Sequence, residues 1–367
     1  VGHQALTAQN ASAGLVGNTA VGCLAGKTIS SGTGNSLLGY NAGQALSTSQ
    51  GTTAIGESAL YTEDVGTQST AIGLGALYLQ NTASAGVTGN TAIGYQVGYS
   101  NATGTNNTYL GWHAGFGPTS AANNSNNVGI GKDALLSVTT GSSNVVVGRD
   151  AGDAVTDGGN NVIIGENAGS ATTSVANAVL IGNNAGTSGV ITTAANGAVG
   201  VGAGALQQLT SGASNTAVGY QALATEDTGT QSTAVGYQAL TTQNSTDAKN
   251  TAVGYKAGAA ITSGYNNTIM GREAGDVLTT ASGNVVVGCG ALGSADGGES
   301  SNIVVGCDAG SAINHDDSDY NILIGQDAGA GGAAAMIGCI AIGKSAMDAT
   351  AANAQTGTIA IGQSSLS

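Results

Sequence analysis

One nine-residue phrase recurs from one end of the chain to the other, cleanest as Asn-Thr-Ala-Val-Gly-Tyr-Gln-Ala-Leu at Asn215–Leu223. It occurs 21 times, anchored on glycines from Gly2 through Gly219 to Gly362, and 11 of the 20 intervals are 17 residues, the rest 18 to 21. A near-constant period of this size means a stack of equivalent units, each touching its neighbours, and not a globular core. The expectation is a single elongated domain over residues 1–367, an all-β parallel β-solenoid or β-roll of about 21 coils. Twenty steps at a strand spacing of ~4.8 Å give a rod roughly 95 Å long.

Low charge (8%) with 63 glycines could describe a disordered chain, but an aliphatic residue precedes the anchor glycine in all 21 copies. Disordered chains lack such periodic apolar positions. Counting from the anchor, positions −3 and −1 are β-branched or aliphatic, as at Thr216 and Val218, which reads as a strand with those two side chains inward. The glycine and the variable pair at +1 and +2 form a turn. Position +3 is Ala in 19 copies and +4 is Gly 11 times or Leu nine times, read as the start of a second short strand. Asn fills −4 in 13 of the 20 copies that have the position, and a stacked amide column ties coil to coil.

Position −2 is Ala in many coils and bulky in others, including Val146, Ile163, Leu180, Ile269, Val286, Val304 and Leu323. With −3 and −1 inward, an apolar −2 faces out and needs cover. Copies of the same chain supply it, and a closed homotrimer, intertwined or side by side, is the expected assembly.

A net charge of −14 disfavours nucleic acid and anionic membranes as partners. No stretch approaches the ~20 apolar residues of a membrane helix, so no membrane insertion is expected. The chain opens and closes inside the phrase, at Val1–Leu6 and Ile361–Leu366, as a segment of a longer array would. Cys289 and Cys307 hold one register in neighbouring coils, close enough either to bridge or to stand as free thiols.

The phrase at Asn215–Leu223 and its copy at Ser232–Leu240 resemble the repeat of tailed-phage tail fibre proteins, many of which carry an endosialidase-type chaperone that directs trimer assembly and is cut off. The Ala-Ile-Gly core at Ala71–Gly73 and Ala360–Gly362 is similar to the heads of trimeric autotransporter adhesins, from which this chain departs in period. The tail-fibre resemblance implies a non-enzymatic structural segment of a virion tail fibre, exposed outside the particle, serving as rigid spacer and attachment element for a host-cell receptor or glycan. A bacterial trimeric adhesin head or extracellular filament subunit is the alternative. A near-duplication, Glu63–Ala71 repeated as Glu226–Ala234, fits an array that grew by copying coils.

Chemistry is sparse. Val218 also fits the hexapeptide of left-handed β-helix acyltransferases, but six-residue steps from it reach Ala224 and Thr230, and from Val147 reach Asp153 and Gly159, so two of three faces fail. His3, His113 and His315 lie many coils apart and build no triad. The pairs Glu63/Asp64 and Glu226/Asp227 read as solvated turns, although carboxylate pairs are also what a glycan depolymerase uses. No cofactor is expected unless Ca²⁺ binds the acidic run at Asp316, Asp317 and Asp319, with Asp153/Asp157 and Asp296/Glu299 as weaker oxygen sets. Glycan contacts are expected from outward aromatic residues: Tyr95, Trp112, His113 and Phe116, and Tyr220, Tyr237 and Tyr255. The residues Thr119–Asn127, inside a long interval, are expected to bulge beside Trp112. An ice-binding solenoid needs outward Thr columns, and an inward −3 counts against it.

Overall fold

The computed structural model describes residues 1–10, 16–82, 86–118, 123–331, 334–349 and 353–366. The chain divides into two compact units, Val1–Ala178 and Val179–Ser367. In the first, nine three-residue strands stack in parallel: β1 (Thr19–Val21), β2 (Ser36–Leu38), β3 (Thr53–Ile55), β4 (Thr70–Ile72), β5 (Thr91–Ile93), β6 (Thr108–Leu110), β7 (Val128–Ile130), β8 (Val145–Val147) and β9 (Val162–Ile164). They pair in chain order with like on like, for example Thr53 on Thr70, Ala54 on Ala71 and Ile55 on Ile72.

The second unit repeats the plan with β10 (Val179–Ile181), β11 (Val199–Val201), β12 (Thr216–Val218), β13 (Thr233–Val235), β14 (Thr251–Val253), β15 (Thr268–Met270), β16 (Val285–Val287), β17 (Ile303–Val305) and β18 (Ile322–Ile324). Two further strands, β20 (Ile340–Ile342) and β22 (Ile359–Ile361), continue this ladder, while β19 (Met336–Ile337) and β21 (Gln355–Thr356) form a side pair. Each unit is thus a parallel β-solenoid with a period near 17 residues, and their coils together make about 19 turns rather than 21. At the N-terminal end, Val1–Leu6 repeats the anchor turn, with Gly22 N–H donating to Val1 O at 2.8 Å.

The inside and the outside of the strand are the reverse of the expectation. The −2 residues Ala217, Ile163 and Val286 are fully buried, whereas −3 and −1 are half-buried or exposed. Side chains alternate along a strand, so −2 shares its face with −4. The −4 asparagines lie inside: Asn144 and Asn161 are fully buried. The Asn144 carboxamide oxygen accepts the backbone N–H of Asn161 at 3.0 Å and its Nδ2 at 3.0 Å, while Asn144 Nδ2 donates to Gly158 O at 2.9 Å. Unbroken amide columns run through Asn90, Asn107, Asn127, Asn144 and Asn161, and again through Asn250, Asn267, Asn284, Asn302 and Asn321. Because −2 fills the coil, it cannot be the surface that seals copies together.

The expected second strand is an arc with left-handed steps. Gln221 and Leu223, at +2 and +4, have φ of 52° and 49°, so the backbone is not extended there. Their N–H groups still reach the neighbouring coils, Gln221 to Ala203 O at 2.9 Å and Leu223 to Ala239 O at 3.1 Å. This explains the Gly-or-Leu choice at +4. Glycine takes the left-handed conformation freely, while leucine there costs about 1–2 kcal/mol, offset by the ~1.5–3 kcal/mol gained on burying its side chain.

Core volume is shared between −2 and +4. Leu at +4 follows a small −2 residue, as Ala217 with Leu223 and Gly129 with Leu135, and most large −2 residues accompany Gly, as Ile163 with Gly169 and Tyr109 with Gly115. Where both are small, at Ala20/Gly26, Ala92/Gly98 and Ala252/Gly258, the buried +7 residue is the larger Ile29, Asn101 or Ile261. A Cβ on Gly115 would stand 2.5 Å from the Tyr109 ring. Where both are large, as Val286 with Leu292, the coil yields at +7, which is Ala295. Position +7 is a further buried column, including Ile29, Leu46, Val138, Val155, Leu209, Ile261 and Leu278.

Glu63 and Glu226 occupy that column, and both are buried rather than in solvated turns; only Asp64 and Asp227 reach the surface. Glu226 accepts the Gly229 N–H and Gln243 Nε2, each at 2.6 Å, and Gln243 Oε1 in turn accepts Asn250 Nδ2 at 2.8 Å. Glu63, Gln80 and Asn90 repeat this network in the first unit. Burial pushes the Glu226 carboxyl above its ordinary value, partly opposed by the Gln243 hydrogen bond.

Candidate functional site

The turn after the anchor glycine points its +1 side chain away from the core, and coil-on-coil stacking turns equivalent residues into columns. Around Trp112 two columns meet. In the +1 column, Tyr95 and Trp112 stack with ring centroids 4.5 Å apart. In the +5 column, Tyr61, Tyr78, Tyr99 and Phe116 stack at 5.0, 4.9 and 5.4 Å. These separations match the strand spacing of ~4.8 Å, so the backbone ladder sets them. His113 joins the columns, its ring 5.5 Å from Tyr95, 5.2 Å from Trp112 and 5.0 Å from Phe116.

Polar contacts hold the cluster. Trp112 Nε1 donates to His113 Nδ1 at 3.1 Å, and His113 Nε2 donates to Gln96 Oε1 at 3.2 Å. Asp133 Oδ1, 3.4 Å from Nδ1, pairs with the ring only when that nitrogen carries a proton in place of the Trp112 contact. Trp112 remains 51% exposed and Tyr95 37%. Burial, reinforced by the neighbouring Tyr99 and Tyr61, raises the Tyr78 hydroxyl pKa above its usual value. The fold therefore brings together Tyr95, Trp112, His113 and Phe116. Tyr61, Tyr78 and Tyr99 belong to the same surface and were missed; their shared +5 register was the available signal.

Tyr220, Tyr237 and Tyr255 lie in the other unit and form their own column, with centroids 5.2 Å apart at both steps. The Lys256 ammonium sits 5.6 Å from the Tyr255 ring centre. Of the expected bulge at Thr119–Asn127, residues 119–122 lie outside the described residues, while Asn124 and Asn127 are buried in the coil. Asn124 accepts the hydroxyl of the buried Tyr109 at 2.6 Å.

The acidic run is spread over different partners. Asp319 Oδ1 accepts the Ser300 N–H at 2.7 Å, Asp316 Oδ1 receives Gly298 N–H at 3.4 Å, and Asp317 faces His315 at 3.8 Å. Among the described residues, no three His, Cys, Asp or Glu side chains are grouped to hold a metal ion. Cys289 and Cys307 are free thiols. Arg272 approaches Cys289 Sγ at 2.9 Å, and the Asp308 carboxylate accepting its S–H pushes the Cys307 thiol up. Among the described residues no helix is long and apolar enough to cross a membrane.

The outward −3 position also carries runs of threonine, Thr53, Thr70, Thr91 and Thr108 in one unit and Thr216, Thr233, Thr251 and Thr268 in the other. These columns face out, so the objection to an ordered-water face based on inward threonines does not hold. No family model matches the chain, and no curated protein matches it.

Proposed function

We propose that the chain is a non-enzymatic structural segment of an extracellular fibre of the tailed-phage tail-fibre type, a spacer that also carries attachment sites for a host-surface glycan. The observation that carries this reading is the outward sheet face. Every strand of the ladders places an aliphatic residue or Met at −1, and Val21, Leu38, Ile93, Leu110, Met270 and Ile324 are each more than a third exposed. Apolar surface repeated in this way calls for a partner surface of the same period. Copies of the chain have that period by construction, and a closed homotrimer gives each copy the same cover. The argument for an oligomer thus rests on −1 and −3 instead of −2.

The aromatic cluster at Tyr95, Trp112, His113 and Phe116 supplies attachment. It is the largest gathering of rings in its unit, and aromatic faces and edges beside amides suit the C–H faces and hydroxyls of sugars. Trp112→Ala is expected to weaken binding to immobilised bacterial surface polysaccharides about tenfold, equivalent to ~1.4 kcal/mol, with the melting temperature unchanged. Binding equal to the parent chain would remove this cluster from the attachment surface.

A further inference from the structure

The second unit contains a gap in an otherwise filled column. Its +1 and +2 residues run Asn183–Asn184, Ala203–Gly204, Tyr220–Gln221, Tyr237–Gln238 and Tyr255–Lys256. Of the 21 phrases, only Ala203–Gly204 has no atom beyond Cβ at either position. The backbone continues through the gap unbroken, with Gly204 N–H on Asn183 O at 3.0 Å and Gln221 N–H on Ala203 O at 2.9 Å. One rung of side chains is therefore missing, and a recess of about 140 Å³ lies in its place, lined by Asn183, Asn184, Ala203, Gly204, Gln207, Tyr220 and Gln221.

We propose that this recess binds one pyranose ring of a neutral glycan, which enters as the missing rung on the open face of Tyr220. Tyr237 covers the other face of that ring at 5.2 Å, whereas on the recess side the column offers only Ala203 and Gly204. Two coil steps separate the Asn183 rung from the Tyr220 rung, about 9.5 Å, which leaves room for a single ring of stacking thickness. The recess is well below the ~300–1,000 Å³ of a drug-sized site, so one sugar residue fits and the rest of a glycan stays in solvent.

The lining chooses among flat ligands. Four side-chain amides, from Asn183, Asn184, Gln207 and Gln221, surround the space, and no charged side chain lines it. A wholly apolar ring would strip those amides of water without replacing the hydrogen bonds. A nucleotide would bring phosphate to a chain of net charge −14. A neutral sugar meets both requirements, with a C–H face for Tyr220 and hydroxyls for the amides. The site is separate from the Trp112 cluster, and its geometry stands without that cluster's role in attachment.

The test is saturation-transfer NMR on the full chain with methyl β-D-galactopyranoside and methyl β-D-glucopyranoside, with adenosine as the flat comparison. Transfer to the ring C–H face of at least one glycoside is expected, with affinity on the order of 1 mM. In a Trp112→Ala background, which removes the other cluster's contribution, Ala203→Tyr, which continues the tyrosine column, and Tyr220→Ala should each lower it at least tenfold with circular dichroism unchanged. No transfer to either glycoside, transfer in that background unchanged by Ala203→Tyr or Tyr220→Ala, or stronger binding of adenosine would overturn the proposal. So would complete loss of transfer in Trp112→Ala alone, which would assign the whole signal to the other cluster.

Discussion

Replacing Gly219 by alanine is expected to abolish cooperative folding of its unit. The anchor has φ of +140°, and a Cβ built there would stand 2.2 Å from Gly236 O and 2.6 Å from Gly236 C. Both obstacles are backbone atoms of the next coil, held by the ladder bond from Gly236 N to Val218 O at 2.8 Å. The substitution therefore forces adjacent coils apart and imposes a conformation that side chains rarely adopt, at a cost above about 4 kcal/mol. Domain stabilities are typically ~5–15 kcal/mol, and a stack joined only through neighbours has no other contact to carry the load. Gly197→Ala is the control, since its Cβ would meet nothing within 4 Å although its φ is +77°. A cost of about 1 kcal/mol is expected there. Urea denaturation followed by circular dichroism separates the two; equal midpoints would contradict the account of the anchor.

The second large effect is expected from Asn144→Ala, near the middle of a buried amide column. The substitution leaves the backbone N–H of Asn161 without its acceptor and Gly158 O without its donor, while Asn161 Nδ2 loses one of two acceptors and keeps Val175 O at 2.8 Å. Each buried polar group stranded in this way costs about 1–3 kcal/mol, so for the two of them a loss of roughly 2–5 kcal/mol is expected. Asn144→Ser should lose less, because serine already serves at −4: Ser232 Oγ accepts the Asn250 N–H at 3.3 Å. Thermal unfolding checks the order, and an alanine variant as stable as the serine one would mean that the column contributes little.

Much of the solenoid was legible because the chain aligns with itself. The period, the −1 residue, the −4 amide column and the outward +1 position are all visible in the phrase. Facing was misread because −3 and −1 look like a buried alternation in Val162 and Ile164. Two signals pointed the other way. An amide column that ties coils internally must share its face with −2, since −4 and −2 have the same parity. The exchange of volume between −2 and +4, as in Ala217/Leu223 against Ile163/Gly169, also places both inside one core.

Other features were hidden for physical reasons. The arc at +2 to +4 keeps strand-like hydrogen bonds with left-handed dihedrals, and leucine at φ of 49° is not a residue that announces such a turn. The +7 column mixes Leu, Ile and Val with Glu63, Gln80, Glu226 and Gln243. Its burial is invisible until those polar groups are seen to satisfy one another. Of the candidate site, the +1 aromatics were found by register, while the Ala203–Gly204 gap is marked by what its side chains lack and gains meaning only when Tyr220 and Asn183 stand on either side.

The central claim is that the outward −3 and −1 face is covered by copies of the chain. Sedimentation equilibrium of the full chain tests it most directly. A mass three times the 35.0 kDa chain is predicted, returning toward the monomer when Val235 and Val253 are both replaced by lysine. A parent chain that sediments as a 35.0 kDa monomer at all concentrations would contradict the account and leave the threonine columns open to ordered water.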